Sequence, residues 1–509
     1  MRADPVYPAS VPVPQPAAPA PAHGSRSFVR QAVAPAYGRP APGYAPASSG
    51  SVLAPVVGGA VRVRVDAKAA GEMKRQVNDH LLAETKLNSG LVGKTREQRA
   101  RALISERVAV WGDAARQVRV VTPAEEEELA ALVFDMLFRS GRLQRHLDDP
   151  RVEDIWINGH DRVFLKCSGD SEPVAADPVA ESEEELQELV RDLIRNSGQS
   201  GRTFSTASPD VAIRLADGSR LQALHPEITG ERTFVTIRRH RLQNATLDDL
   251  VTAGAMDTTI AALLRACVRA RRNVIVVGEQ SSGKTTLMRA LLREIPQHER
   301  FGTVETEFEL WAHHNGYHTQ VVPMEARESN GERVDGRAVG EITLLDLMYR
   351  AKRMSLKRVV VGEVRGPEIT AMMQALTSDR PGSMCTMHAS EPHVVFDRIA
   401  ELYLLARGNF SEQLAYRQIA NGLHFVVFMS VDESGPAPRR LVSHIWEITG
   451  IGENGRPAYN EIFRPACESD PRAVPAAPLS PRSRRRLELA GFATHLLDQS
   501  PAHTWTGGV

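Results

Sequence analysis

An α/β fold, built on a mostly parallel sheet with helices on both faces, is predicted for residues 257–465 from three observations. A helical pattern, DTTIAALLRACVRA, leads into the run NVIVVG, apolar after its first residue, as expected of a strand buried on both faces. Short β-rich runs recur at FGTVET, RVVVGE and SMCTMH, with helical patterns around 343–353, 367–377 and 391–405 between or after them. Such alternation implies crossover connections and hence a parallel sheet. A glycine-rich loop, GEQSSGKT, separates NVIVVG from a helix that ends before Pro296. That puts the loop at the carboxyl end of a strand, where such sheets collect ligands.

Upstream, residues 1–60 are dominated by Pro, Ala, Gly, Ser and Val and read as a disordered arm. Residues 61–145 read as a small helical domain. In TPAEEEELAALVFDMLF, Thr122 and Glu125 form a capping box, Pro123 suits the first helical position, and Leu129, Leu132, Val133, Met136 and Leu137 share one face. Residues 146–243 read as an α+β domain. VEDIWINGHDRVFLK turns at Asn158-Gly159, and VAIRLADGSRLQAL turns at Asp217-Gly218. Between them, ESEEELQELVRDLIRNSG is a capped helix with Leu186, Leu189, Val190, Leu193 and Ile194 on one stripe, and RTFVTIRRH adds a further strand. Residues 244–256 form a hinge or linker, and 466–509 a tail in which SRRRLELAGFATHLL has the pattern of a short basic helix.

Composition limits the function classes. The 509 residues carry 62 basic and 62 acidic side chains, so no global charge draws the chain to nucleic acid or an anionic membrane. Aromatic content is 5%, too sparse to suggest a base-stacking channel. Cys167, Cys267, Cys385 and Cys467 are widely spaced and make neither a zinc motif nor a disulfide framework. No secretory signal or membrane-spanning run is evident, so a cytoplasmic chain is expected.

GEQSSGKT fits G-x(4)-G-K-(S/T) in the strand–loop–helix context that gives the pattern its meaning. Gly278 and Gly283 permit backbone conformations that aim amides inward from Gly278, Glu279, Gln280, Ser281, Ser282 and Gly283, and the helix N-terminus adds positive partial charge. Lys284 is placed for β- and γ-phosphates, the Thr285 hydroxyl for Mg2+, and Thr286 lies near the phosphates. Hydrolysis further requires a carboxylate to orient water. Glu363, ending RVVVGE, and Glu305, ending FGTVE, occupy strand ends; either could instead cap a helix or pair with an arginine. His388 ends SMCTMH, where a γ-phosphate contact and a structural role are both open.

The order GEQSSGKTT, VETEFEL, RVVVGEVRG, GSMCTMHAS resembles the secretion ATPase superfamily, whose members power type II secretion, type IV pili, tight-adherence pili and type IV secretion. DDPRVEDIWINGHDRVFL and IRLADGSRLQAL resemble that family's N-terminal domain, and the likeness spans about residues 130–465. It is greatest to the CpaF-type branch that assembles tight-adherence pili. The resemblance implies a RecA-like P-loop NTPase domain using ATP and Mg2+. It makes Glu363 the water-polarising carboxylate, Glu305 and Glu309 the "Asp box" acids (Glu305 meeting Mg2+ through water) and His388 the "His box" histidine. Arg220, with Arg238 or Arg239, takes the place of γ-phosphate arginines. Two positions depart from the family: Thr306 replaces an acid, and Arg380 stands near an expected histidine. By the same resemblance, a homo-hexamer is expected on the inner face of the cell membrane, acting on integral-membrane platform proteins and, through them, on pilin-like subunits, without binding nucleic acid directly. A DNA-translocating conjugative ATPase and a weakly hydrolysing nucleotide-bound scaffold are the alternatives.

Overall fold

The computed structural model describes residues 66–498 and Trp505, except 88–89, 169, 171, 199–201, 240–243, 315, 328–332, 335–336, 379–380, 407, 409, 436–437 and 468. The arm at 1–60 and Arg380 therefore lie outside the described residues.

Three helices come first: α1 (Ala67–Leu87), α2 (Gly93–Arg116) and α3 (Pro123–Phe138). They pack around Leu81, Leu103, Ile104, Leu129 and Val133. α3 begins at the capping box read from sequence, with Glu125 N donating to Thr122 Oγ1 at 3.3 Å and Thr122 N to Glu125 Oε2 at 3.4 Å. The short α4 (Gln144–Asp148) leads into a six-stranded antiparallel sheet. Its strands are β1 (Val152–Asn158), β2 (Val163–Cys167), β3 (Val174–Ala176), β4 (Asp210–Arg214), β5 (Arg220–Leu224) and β6 (Phe234–Arg238), in the order β3-β2-β1-β6-β5-β4. The helix α5 (Glu183–Asn196) buries Leu186, Val190, Leu193 and Ile194, in a core shared with Ile155, Ile157, Leu221, Val235 and Ile237. Alternation along the strands leaves the opposite face polar. A single turn, α6 (Pro226–Thr229), links β5 to β6.

Within the stretch read as a linker, Thr246 caps α7 (Leu247–Thr252), whose Leu247 and Leu250 join the next core. Then come α8 (Thr258–Arg269), β7 (Val274–Gly278), α9 (Lys284–Arg293), β8 (Phe301–Glu305) and β9 (Val321–Glu325). A small hairpin, β10 (Arg333–Val334) and β11 (Arg337–Ala338), precedes α10 (Leu344–Ala351), β12 (Val359–Val364), α11 (Glu368–Leu376) and β13 (Met384–His388). The chain continues through α12 (Val395–Leu405), α13 (Glu412–Gly422), β14 (Phe425–Asp432), β15 (Arg439–Ile451), β16 (Pro457–Cys467), β17 (Asp470–Pro475) and α14 (Pro481–Leu489).

These strands form a nine-stranded sheet, β17-β16-β15-β14-β7-β13-β12-β8-β9, parallel from β14 to β9 and antiparallel from β14 to β17. β7 shows why the apolar run NVIVVG was needed. Val274 and Val276 enter a core with α8 and α9, while Ile275 and Val277 enter a second with α10 to α13. Asn273 anchors the start of β7. Its Oδ1 accepts from Gly382 N and Ser383 N (2.6 and 3.0 Å), and its Nδ2 donates to Leu376 O and Gly422 O (2.7 and 2.6 Å).

The sheet runs past residue 465, where composition suggested a tail: Ala473 of β17, Leu487 of α14 and Phe492 all lie in the first core. Among the described residues, no helix is long and apolar enough to cross a membrane.

Candidate functional site

β7 and α9 carry the glycine loop between them. Gly278 has φ 151, and a Cβ there would lie 2.2 Å from the Met429 carbonyl oxygen, so no side chain fits. Ser281 (φ 61) and Gly283 (φ 92) complete the bend, and Ser282 Oγ donates to Glu279 O at 2.8 Å. No side chain caps α9. Its first-turn amides are thus available to an oxyanion acceptor, aided by the helix dipole. Glu279 and Gln280 are exposed and join the loop through their backbone.

Lys284 is 7% exposed and folds back onto the loop, donating to Gly278 O at 3.1 Å and Glu279 O at 2.5 Å. Burial pushes its pKa down to about 8, against the opposing pull of Glu363. Nζ also lies 3.4 Å from Nδ1 of His388, whose Nε2 is 2.8 Å from Glu363 Oε1. An ammonium offers only donors, so Nδ1 accepts and the ring proton sits on Nε2; the approach of Nε2 to Glu363 is close but lacks hydrogen-bond geometry, Oε1 being buried with no hydrogen-bond partner among the described residues. Burial, then the Lys284 charge, holds the His388 pKa below its ordinary value. Glu363 also pairs through Oε2 with Arg365. Lys284, His388 and Glu363, distant in sequence, thus form one contiguous row.

Glu305 is 1% exposed at the end of β8. Its Oε2 accepts from Glu309 N and Leu310 N, both at 2.8 Å, so it shapes the following turn. Its Oε1 is buried with no hydrogen-bond partner among the described residues, and burial raises the pKa to about 7. The Thr285 hydroxyl donates to Glu309 Oε2 at 3.4 Å. The Thr285 hydroxyl and Glu309 carboxylate are oxygen donors of the kind that suits a hard cation such as Mg2+, and Glu305 holds the turn that carries Glu309. Arg289, 5% exposed on α9, secures the turn from beneath by donating through Nε to Glu309 O at 2.7 Å.

The polar face of the N-terminal sheet contributes a row set by strand register. Arg214 opposes Arg220, Arg220 opposes Arg238, and Arg238 opposes Asp154. Like charges directly opposed across strands repel, so acids must offset them. Arg214 Nη1 lies 2.6 Å from Glu325 Oε1. Arg220 lies 2.6 Å from Glu307 and 3.7 Å from Glu309. The charge of Arg238 bears on both Lys284 and Arg289. Arg239 is different: it donates to the carbonyls of Asp149 and Val152 and is structural, which leaves Arg238 as the arginine turned to the loop.

Sequence reasoning missed Arg214, Arg289, Arg365 and Arg440, the last donating from β15 to Ser281 O at 2.8 Å. Arg214 and Arg440 are brought here only by strand register and chain crossings, whereas Arg289 on α9 and Arg365 beside Glu363 lay within the motifs already read. Thr306 is exposed and, with Arg214, Arg220, Glu307 and Arg365, lines a cleft of about 1420 Å3 that the arginine row borders.

A parallel sheet with a glycine loop, a buried lysine and strand-end acids at its carboxyl edge defines the class: an α/β protein laid out to take phosphate oxygens. Known proteins narrow it. The family "Type II/IV secretion system protein" matches residues 208–429. A putative conjugal transfer protein of Mycobacterium tuberculosis is 33% identical over 251 residues, covering 48% of this chain and 67% of that protein. Type IV secretion system protein VirB11 of Brucella suis is 28% identical over 330 residues, covering 60% and 87%. The crystal structure of the Brucella suis VirB11 ATPase in complex with sulphate covers 60% of this chain and 92% of its own, at 25% identity and TM-score 0.32. That of the Legionella pneumophila ATPase DotB covers 61% and 80%, at 18% identity and TM-score 0.41. The chain belongs to the type II/IV secretion ATPase superfamily.

Proposed function

We propose that the protein is an ATP-hydrolysing motor that works as a homo-hexamer on the cytoplasmic face of a membrane assembly. It would stand nearest the CpaF-type ATPases of tight-adherence pili and drive pilin-like subunits through integral-membrane platform proteins. The observation that carries this reading is the row Lys284–His388–Glu363 beside the uncapped start of α9.

In this reading the loop amides hold the β- and γ-phosphates, and Lys284 exchanges the Gly278 and Glu279 carbonyls for phosphate oxygens. Glu363, oriented by His388, aligns the attacking water. Arg220 and Arg238 meet the charge that grows on the γ-phosphate, a contribution of about 10³–10⁵ in rate for an arginine so placed. Thr285, with Glu309 and Glu305 beside it, would hold Mg2+, which would supply positive charge to offset that of the phosphates. Arginine contacts then bind the N-terminal sheet to the nucleotide and are released with phosphate, so domain closure follows the cycle.

The likeness to a putative conjugal transfer protein favours a second reading, a conjugative type IV secretion ATPase. The exposed Thr306 favours a scaffold with weak turnover. The test uses purified full-length protein. Wild type hydrolyses ATP slowly and sediments as a hexamer, Glu363→Gln binds ATP without turnover, and Lys284→Ala does not bind. Unchanged affinity in Lys284→Ala rejects the cradle. Bound ATP without turnover in the wild-type hexamer supports the scaffold. In the source cells, a deletion that removes surface pili separates the first reading from one that abolishes DNA transfer.

A further inference from the structure

The hairpin of β14 and β15 lies over the glycine loop. Met429 of β14 pairs with Gly278 in parallel register, and Val431 pairs with Arg440 across the hairpin. Asp432 braces the turn: its Oδ1 accepts from Ser434 N (3.0 Å) and Oγ (2.6 Å), and its Oδ2 from Arg439 Nε at 3.2 Å. Arg440 is held over the loop as a result. Its Nε donates to Ser281 O at 2.8 Å, and its stem carbons lie 3.7 and 3.8 Å from where a Cβ on Gly283 would stand.

Ser281 has a side chain yet sits at φ 61, a conformation that needs outside constraint in any residue but glycine. The Arg440 bond is such a constraint, made by a charged donor to the carbonyl at the crest. No other side-chain hydrogen bond of Arg440 falls on a described residue, which leaves its terminal nitrogens uncommitted. Asp154, across the strands from Arg238, feels the charge of both arginines. The loop is thus flanked by cations from two parts of the chain. Arg440 lies beyond residues 208–429, the part that matches the family.

We propose that Arg440 is a positioning residue of the nucleotide site: it pins the crest of the loop so that the amides are aimed before ATP arrives. The proposal rests on the loop being the ATP cradle. Because Arg440 acts on the loop and not on the reacting atoms, it governs affinity and leaves the chemical step alone.

The test is binding of a fluorescent ATP analogue and steady-state hydrolysis by full-length wild type, Arg440→Gln and Arg440→Lys. Arg440→Gln raises both the Kd and KM about tenfold, the worth of one charge-assisted hydrogen bond, with kcat within about twofold. Arg440→Lys, which keeps a charged donor, recovers part of the affinity. The melting temperature without nucleotide stays at the wild-type value, since the side chain is exposed. Equal affinity of wild type and Arg440→Gln overturns the inference, as does a fall in kcat at unchanged KM. Wild type that binds no nucleotide overturns the cradle reading, and the inference with it.

Discussion

Nε2 of His388 stands 2.8 Å from Oε1 of Glu363, while Nδ1 of the same ring lies 3.4 Å from Nζ of Lys284. The imidazole therefore joins the lysine proposed to bind phosphate to the acid proposed to orient water. Glu363→Gln keeps the shape and removes the charge, so hydrolysis drops by about 10²–10⁴-fold with ATP affinity little altered. The ring must be neutral for Nδ1 to accept from the lysine. Burial, and after it the Lys284 charge, lowers its pKa from 6.5, so the ring takes up a proton in more acid solution than a free imidazole does. The part of a pH–rate profile that His388→Gln abolishes should be an acid limb below 6.5. An acid limb centred above that value and abolished in His388→Gln would contradict the arrangement.

The proposed motor gives Arg220 and Arg239 opposite roles. Arg220 is about a third exposed, and its ion pairs with Glu307 and Glu309 are half open to water. Such pairs give about 0–1 kcal/mol, so Arg220→Gln should leave unfolding almost unchanged. Its loss of hydrolysis should reach at least about 10²-fold, because the side chain can exchange those acids for a phosphate. Arg239→Gln has the opposite signature. It removes donors to the carbonyls of Asp149 and Val152, costing about 1–3 kcal/mol of stability with turnover near wild type. Denaturant titration beside an ATPase assay decides, and exchanged signatures would refute the assignment.

What the sequence made legible was local. The Thr122 capping box, the turns at Gly159 and Gly218, the α5 stripe and the β7–loop–α9 unit depend on residues within a few positions of one another, and each stands where its pattern indicated. Contacts set by pairing between distant segments were not legible. Nothing in IRLADG or RLQAL announces that Arg214, Arg220 and Arg238 fall opposite one another, since a shift of one residue would send each to the other face. The β14–β17 extension was missed for a related reason. FVVFMSVD is as strand-like as NVIVVG, but its partner across the hairpin and its parallel neighbour β7 are fixed only by tertiary packing. Arg440 therefore gave no signal of lying over a loop 159 residues away.

Asn273 tests how firmly the loop is held from behind. Its amide has one acceptor and one donor group, and both are fully used on backbone atoms of Gly382 and Ser383 ahead of β13, of α11 and of α13. Asn273→Ala strands these buried amides and carbonyls, with an expected loss of about 2–4 kcal/mol. Asn273→Asp should be worse, because it turns a buried carboxylate toward the carbonyls of Leu376 and Gly422. Chemical denaturation of both variants checks the order. Wild-type midpoints would show that other contacts fix the start of β7.

His424 gives the fold a pH dependence whose sign follows from its surroundings. Its Nδ1 accepts from Asn273 N at 3.0 Å, so the ring is held neutral where the loop strand begins. Burial, followed by the charges of Arg272, Arg486 and Arg482, lowers its pKa from 6.5 to about 3. The unfolded chain therefore binds a proton in a window where the folded one does not. The contribution of His424 is complete above pH 6.5 and is lost as pH falls from there toward 3, by at most about 1.4 kcal/mol per pH unit. His424→Gln can still accept from Asn273 N but cannot titrate. Its stability, measured by denaturation at a series of pH values, should converge on or overtake that of wild type as the solution is acidified, having been no greater at pH 7.5. Parallel curves for the two proteins would mean that the ring keeps the same affinity for its proton folded and unfolded, and that burial beside three arginines does not act on it.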